Sequence, residues 1–218
     1  MHYVIDRRNR AAYTAQIEEM YRLRHRIYVK GRGWSALAKP DGREIDQFDT
    51  DDAVYLLGLD EDGRVQSGVR LVPTTGPHLM RDVFPHALSW GRVPNDERIY
   101  EFTRYFLTQE SGDREERRRA AGENLCALFE FGLARGLTHI SLVCDTFFMP
   151  SMLECGFKVY PLGLPTPYDE GTCIAVIFEV SEDVLRSTRC ARGVRGPVLT
   201  FSPLPPPNAR AFDAAIAA

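Results

Sequence analysis

Apolar positions along the chain recur at two periods, and the switches between them mark its elements. Ile17, Met20, Tyr21, Ile27 and Tyr28 recur at helical spacing and predict an amphipathic helix over 11–30, ended by Gly31 and Gly33. A mixed loop follows through Trp34 and the Pro40-Asp41-Gly42 turn. AVYLLGLD (53–60) and RVQSGVRLV (64–72) flank Glu61-Asp62-Gly63, a hairpin signal because Asp-Gly suits positive φ in a tight turn. After a loop with Phe84 and Trp90, IYEFTRYFL (99–107) reads as another strand. A helix from about Arg114 to Arg135 is closed by Gly136, and THISLVCD then reads as a buried strand. A short helix near 147–155, strands FKVYPLG and CIAVIFEV, and a helix from Ser181 complete the pattern. Antiparallel strands followed by a β-α-β-α-β-β run imply a mixed sheet with helices on both faces. From about Arg186 the chain turns basic and then Pro-rich, which predicts a single domain over 1–185 and a loosely packed tail over 186–218.

Charged residues interrupt this pattern where the chain otherwise builds its core. Arg24 lies within the apolar stripe of the first helix, Glu44, Asp46 and Asp49 follow it, and Arg70, Glu101 and Arg104 stand on strand-like segments rich in Val, Leu and Phe. An isolated ion in a low-dielectric interior is heavily penalised, so charges from separate segments must meet. The sequence therefore predicts a convergent ionic cluster, a candidate site for a charged small molecule. Regular alternation would place Glu101 and Thr103 on one face of their strand and Phe102, Arg104 and Phe106 on the other. If Glu101 and Arg104 serve one site, a β-bulge between about 100 and 105 is the simplest remedy.

Composition narrows the choice. With 218 residues, 44% hydrophobic content and no repeats, one compact domain is expected, and a net charge of −3 argues against a general nucleic-acid binder. Residues 41–52 carry six acids against Arg43 alone, which reads either as a cation-attracting segment or as a solvated loop. Five cysteines without a C-x-x-C pair suggest neither a zinc site nor a disulfide framework. The start, MHYVIDRRNR, lacks an apolar leader core, and no run of about eighteen apolar residues occurs, so the expectation is a cytoplasmic protein without membrane insertion.

Two resemblances follow. The segment from Arg119 through Gly122 to Asn124 resembles the pyrophosphate-binding region of GCN5-related acyltransferases, a Gln or Arg, two residues, Gly, one residue, then Gly or Ala at a helix start. Asn124 departs from that pattern, and a helix beginning near Arg114 would instead make Gly122 a close-packing position. More specific is the series R-x-x-x-Y (24–28), Trp34, E-x-D-x-F-D (44–49), G-V-R-L-V-P (68–73), Phe84 in DVFP, and E-F-T-R (101–104). Together these resemble the acyl-homoserine-lactone synthases, the LuxI-type autoinducer synthases, across the first half of the chain, with Tyr28 where the family usually has Phe and Thr103 where many members have Ser.

The resemblance implies a three-layer α-β-α mixed sheet like that of the GCN5-related N-acyltransferases. It also implies an S-adenosylmethionine half over 1–110 and an acyl half over 111–185. The implied reaction joins S-adenosylmethionine, a substrate rather than a cofactor, to an acyl group carried by acyl carrier protein or coenzyme A. No metal is needed. In this reading Asp46 and Asp49 meet cationic groups, Tyr28, Trp34 and Phe84 stack, and Arg24, Arg70 or Arg104 forks onto the carboxylate. Glu44, Phe102 and Thr103 complete the substrate set. Glu101 is the candidate base, directly or through a water, against the alternative of a scaffold pair with Arg70 or Arg104. Acyl selection falls to Val143, Cys144, Met149, Met152 and Leu153, each of which reads equally as plain core. The arginines at 114, 117–119, 186, 189, 192 and 195 are candidates for docking an acidic carrier or coenzyme A phosphates, or else a solvated surface. Two rivals are kept: a coenzyme-A-dependent N-acyltransferase acting on another amine, and a non-catalytic sensor of either substrate.

Overall fold

A computed structural model describes residues 1–108 and 113–205. Its strands are β1 (His2–Ile5), β2 (Val54–Leu59), β3 (Val65–Pro73), β4 (Ile99–Leu107), β5 (His139–Asp145), β6 (Val159–Pro161), β7 (Thr166–Tyr168), β8 (Gly171–Glu179) and β9 (Leu199–Thr200). They form one mixed sheet in the order β6-β8-β5-β4-β3-β2-β1-β9, with β7 also paired to β8. The expected hairpin is β2–β3, with Gly63 at φ +76° in its turn. Strands β1, β7 and β9, of two to four residues each, lie outside the expected pattern, being too short to establish a period.

The helices are α1 (Thr14–Arg24), α2 (Leu79–Asp82), α3 (Arg114–Ala134), α4 (Met149–Glu154) and α5 (Glu182–Arg192). One face of the sheet receives α1, whose Ile17, Met20 and Leu23 pack with Tyr55, Leu57 and Phe106. On the opposite face Leu125, Leu128 and Phe129 of α3 and Val184 and Leu185 of α5 join Leu56, Leu71 and Phe178. The result is the three-layer α-β-α arrangement. Among the described residues no helix is long and apolar enough to cross a membrane.

Helix α3 begins at Arg114, capped by Asp113 and Glu116 in a reciprocal capping box. Gly122 therefore lies in the helix interior, where backbone N–H groups are already bonded along the helix, and the phosphate-loop expectation is not met. A Cβ at Gly122 would stand 2.2 Å from Arg192 Cβ of α5, so the glycine serves close helix packing. Asn124 is buried and donates to the carbonyls of Gly68 and Phe106.

The expected tail begins too early. Residues 186–192 complete α5, which ends on Gly193 at φ +66°. Val194 and Val198 are buried in the core, Leu199–Thr200 pairs in parallel with β1, and Tyr13 donates to the carbonyls of Ser202 and Leu204. Apolar residues interspersed among the basic ones supply the packing that a composition average conceals. The remainder of the Pro-rich segment, from 206 onward, lies outside the described residues.

Strand β4 carries the expected irregularity. Gly68 pairs with Phe106 and Arg70 with Thr103, so Arg104 and Tyr105 both face Val69. Arg104 has φ +54°, and no other non-glycine described residue has positive φ. This is a β-bulge, and the extra residue re-aims Arg104. Strands β4 and β5 pair in parallel only over Ile99–Glu101 and His139–Ser141, then separate. The site forms where they part.

Candidate functional site

Three arginines and three carboxylates meet on the α1 side of the sheet. Arg24 donates Nε to Glu44 at 2.6 Å and both Nη groups to Asp49 at 2.8 Å. Arg70 donates Nη2 to Asp46 at 2.9 Å and Nε to Thr103 Oγ1 at 3.0 Å, and its Nη1 lies 2.9 Å from Asp49. Arg104 donates to both oxygens of Glu44 at 2.9–3.0 Å and to Asp46 Oδ2 at 2.7 Å. The formal charges cancel, three against three. Burial alone would push Glu44 and Asp49 up, yet the surrounding guanidinium groups hold both carboxyls below their ordinary values.

This self-neutralisation revises what the misplaced charges do. Arg24 and Asp49 have fully buried side chains and do not line the cavity beside them, whereas Asp46, Thr103 and Arg104 do. Of the three arginines expected to fork onto a ligand carboxylate, Arg24 and Arg70 have their forks taken by Asp49 and Asp46, and Arg104 is the one that lines the cavity. Helix α1 still reaches the cavity, through the wider turn His25–Gly31 at its C-terminus, where Arg32 N–H bonds five residues back to Ile27 O. That turn places Tyr28, Arg32 and Trp34 on the lining. The Tyr28 and Trp34 rings stack at 4.9 Å, and Arg104 and Arg32 each lie within 5.8 Å of both ring centroids. The hydroxyl that distinguishes Tyr28 from Phe donates to Tyr105 O at 2.6 Å, tying the turn to the bulge.

The cavity, about 690 Å³, continues from this charged and aromatic wall past Phe84 and Phe102 to the gap between β4 and β5. Of the expected acyl-selecting residues, Val143 and Cys144 line it. The other three do not: Met149 and Met152 pack into the core beneath α3, and Leu153 turns outward at 58% exposed. Helix α4 presents its inner face to the core rather than to the gap. In their place stand Tyr105, Leu142, Phe147, Phe148 and Cys173, ordinary apolar residues whose role no sequence period could reveal. Arg32, Asp145 and Tyr168 also line the cavity and were not foreseen; Arg32 reads as one more charge in a polar loop.

Glu101 is fully buried and is not a lining residue. Its two oxygens accept the N–H groups of Leu79 and Met80 at 2.6 and 2.7 Å, so it anchors the start of α2, from which Leu79 reaches the cavity. Neither expected scaffold partner, Arg70 nor Arg104, bonds it. Burial pushes its carboxyl up to about 7, against the opposing pull of those two N–H groups. Glu101 therefore stands one layer behind the cavity lining, joined to it through Leu79.

None of the proposed docking arginines lines this cavity. Arg118 and Arg192 pair with Glu154, Arg189 with Glu130 and Arg186 with Asp183.

The bulged strand, the paired cluster and the cavity at the strand gap set the frame for comparison. Residues 8–187 match the family described as autoinducer synthase. The chain belongs to the autoinducer synthase family. A curated relative, the isovaleryl-homoserine lactone synthase of Bradyrhizobium diazoefficiens, is 39% identical over 188 residues, 85% of this chain and 82% of the relative. Among solved structures, the CoA-dependent acyl-homoserine lactone synthase BjaI with SAM and isopentyl-CoA matches with a TM-score of 0.85 and 34% identity, covering 97% of each chain. The CoA-dependent acyl-homoserine lactone synthase MesI matches at 0.84 and 36%, covering 93% of this chain and all of that one. This autoinducer synthase is therefore an acyltransferase, an acyl-homoserine-lactone synthase of quorum sensing with a GCN5-related N-acyltransferase-like fold.

Proposed function

We propose that this synthase acylates the α-amine of S-adenosylmethionine with a short, branched acyl group delivered as acyl-CoA. The observation that carries the donor is the 39% identity to an isovaleryl-homoserine lactone synthase, joined by two similar structures whose enzymes are CoA-dependent. In the proposed reaction the amine nitrogen attacks the thioester carbonyl, the C–S bond breaks and the thiol leaves. The methionyl carboxylate then attacks its own γ-carbon, which breaks the bond to the sulfonium sulfur and releases 5′-methylthioadenosine. S-Adenosylmethionine occupies the wall built from Tyr28, Trp34, Asp46, Phe84 and Arg104, and the acyl chain the gap lined by Leu142, Val143, Cys144 and Phe148. Backbone N–H groups at the bulge stabilise the thioester oxygen. The reaction is placed in the cytoplasm, in keeping with free cysteines at 126, 144, 155, 173 and 190.

The attacking amine must lose its proton, and Glu101 receives it through a water. A carboxyl near 7 suits proton acceptance at neutral pH, where proton acceptance and release are balanced. Glu101→Gln is expected to lower turnover roughly 10²- to 10⁴-fold with S-adenosylmethionine affinity kept, and to abolish the limb of the pH–rate profile that rises through about 7. A variant that keeps that limb would remove Glu101 from the proton path.

The donor is tested by mass spectrometry of products formed from S-adenosylmethionine with a panel of acyl-CoA and acyl-carrier-protein substrates. A short branched acyl-homoserine lactone, made from acyl-CoA with one methylthioadenosine per lactone, is expected. Exclusive use of the carrier protein, or preference for long straight chains, would overturn the proposed donor.

A further inference from the structure

Substrate carboxylate and ammonium groups need partners, and the buried cluster offers them poorly. Drawing Arg70 or Arg24 onto a ligand would take one of two guanidinium partners from a buried aspartate and leave the cluster short of positive charge, which burial penalises. A second ion pair lines the same cavity without that cost. Arg32 Nη1 lies 3.3 Å from Asp145 Oδ2, with side chains 42% and 16% exposed. The Arg32 side of the pair is open to solvent, where a single long bridge holds a guanidinium weakly and is readily exchanged. Tyr168 donates to the other oxygen, Asp145 Oδ1, at 2.6 Å and fixes the carboxylate from β7. Arg32 comes from the turn after α1, on the aromatic wall, and Asp145 ends β5 beside the strand gap. The pair thus spans the cavity from the S-adenosylmethionine wall to the acyl side.

We propose that Arg32 and Asp145 are positioning residues that bind the zwitterionic amino-acid end of S-adenosylmethionine, Arg32 taking the carboxylate and Asp145 the ammonium. An Arg–Asp pair is the complement of a group bearing one carboxylate and one ammonium: one weak bridge opens and two ion pairs form. Because Asp145 stands where β4 and β5 part, it delivers the nitrogen to the side of the cavity assigned to the thioester. Tyr168 preserves the aim of Asp145. This inference rests on S-adenosylmethionine being the substrate and names the residues that hold its reacting end.

The test compares two ligands by isothermal titration calorimetry on the full chain. S-Adenosylmethionine has the amino-acid end and a sulfonium charge; 5′-methylthioadenosine shares its adenosine and sulfur but lacks both. Arg32→Met and Asp145→Asn are each expected to weaken S-adenosylmethionine binding at least tenfold while methylthioadenosine affinity stays within twofold, which also reports an intact fold. Tyr168→Phe gives a smaller change in the same direction. Equal weakening of both ligands, or unchanged affinity for S-adenosylmethionine, overturns the assignment. Failure of the unsubstituted enzyme to bind S-adenosylmethionine would instead overturn the substrate reading, so the two failures are distinguishable.

Discussion

On one side of the cavity Arg104 and Asp46 belong to a wall whose six charges cancel among themselves, while on the other Leu142, Val143, Phe148 and Cys173 offer hydrocarbon and sulfur. The charged wall is rigid because each member is held by two or more bonds, and any single loss leaves the buried cluster one charge out of balance. The apolar wall is held by packing, where one side chain can be exchanged for another of similar volume at modest cost. The first wall therefore tolerates exchange poorly and the second tolerates it well. Arg24→Met tests this asymmetry most severely. Glu44 and Asp49 would lose a buried counter-ion, and a destabilisation of about 3–5 kcal/mol is expected in urea unfolding. A loss below about 1 kcal/mol would show that the cluster is not held as a unit.

Acid should separate the cluster from Glu101, because their shifts have opposite signs. Asp49 and Glu44 have folded-state values below their unfolded ones, so their contribution is present above the unfolded values of 3.8 and 4.5 and is lost as pH falls. Glu101, raised from 4.5 to about 7, contributes stability below 4.5 that is lost as pH rises through about 7. Buried His2, held down to about 3, gains stability as pH rises toward 6.5 and opposes the Glu101 loss in the parent profile, so unfolding midpoints are compared between variants. Between about pH 4.5 and 7 the parent should lose stability relative to Glu101→Gln, and a pH-independent difference between the two would assign the raised carboxyl elsewhere.

The two walls also differ in what the sequence discloses. A charge within an apolar stripe is conspicuous, so Arg24, Arg70 and Arg104 could be assigned to one cluster, and the spacing of Glu101 and Arg104 called for a bulge on the condition that both serve one site. The bulge is present, but it turns Arg104 into the cluster while Glu101 holds Leu79 and Met80. What spacing could not convey was that the cluster would neutralise itself, since that depends on which forks meet which carboxylates. Arg32 escaped notice for the complementary reason: a charged residue in a polar loop looks solvated until folding brings Asp145 beside it, 113 positions away. On the apolar wall, lining and core have the same composition. Met152 and Phe148 are both apolar and close in sequence, and only the parting of β4 from β5 determines which one meets the cavity. Gly122 lies between these extremes, legible as special but assigned correctly only once α5 is in place. Gly122→Ala is expected to cost roughly 1–3 kcal/mol by forcing α3 and α5 apart, with substrate affinities unchanged because the contact with Arg192 lies away from the cavity.

The smallest expected effect bears most directly on specificity. Phe148 and Tyr105 meet edge to face with ring centroids 5.4 Å apart, and Tyr105 in turn meets Phe102 at 6.0 Å, so three rings close the space between β4 and α4. With the acyl chain in the gap, as proposed, a ring stack at that position would limit the chain length accepted. Phe148→Ala opens it, and each additional methylene that becomes buried contributes about 0.8 kcal/mol, close to fourfold in relative kcat/KM. Steady-state kinetics with acyl-CoA donors of increasing length should therefore shift the optimum toward longer chains, with KM for S-adenosylmethionine unchanged because the charged wall is untouched. An unaltered preference would place the end of the acyl site elsewhere, beyond Leu142 and Cys144. A change in S-adenosylmethionine affinity would show that the two walls are coupled through the bulge, where Tyr28 and Tyr105 share a hydrogen bond.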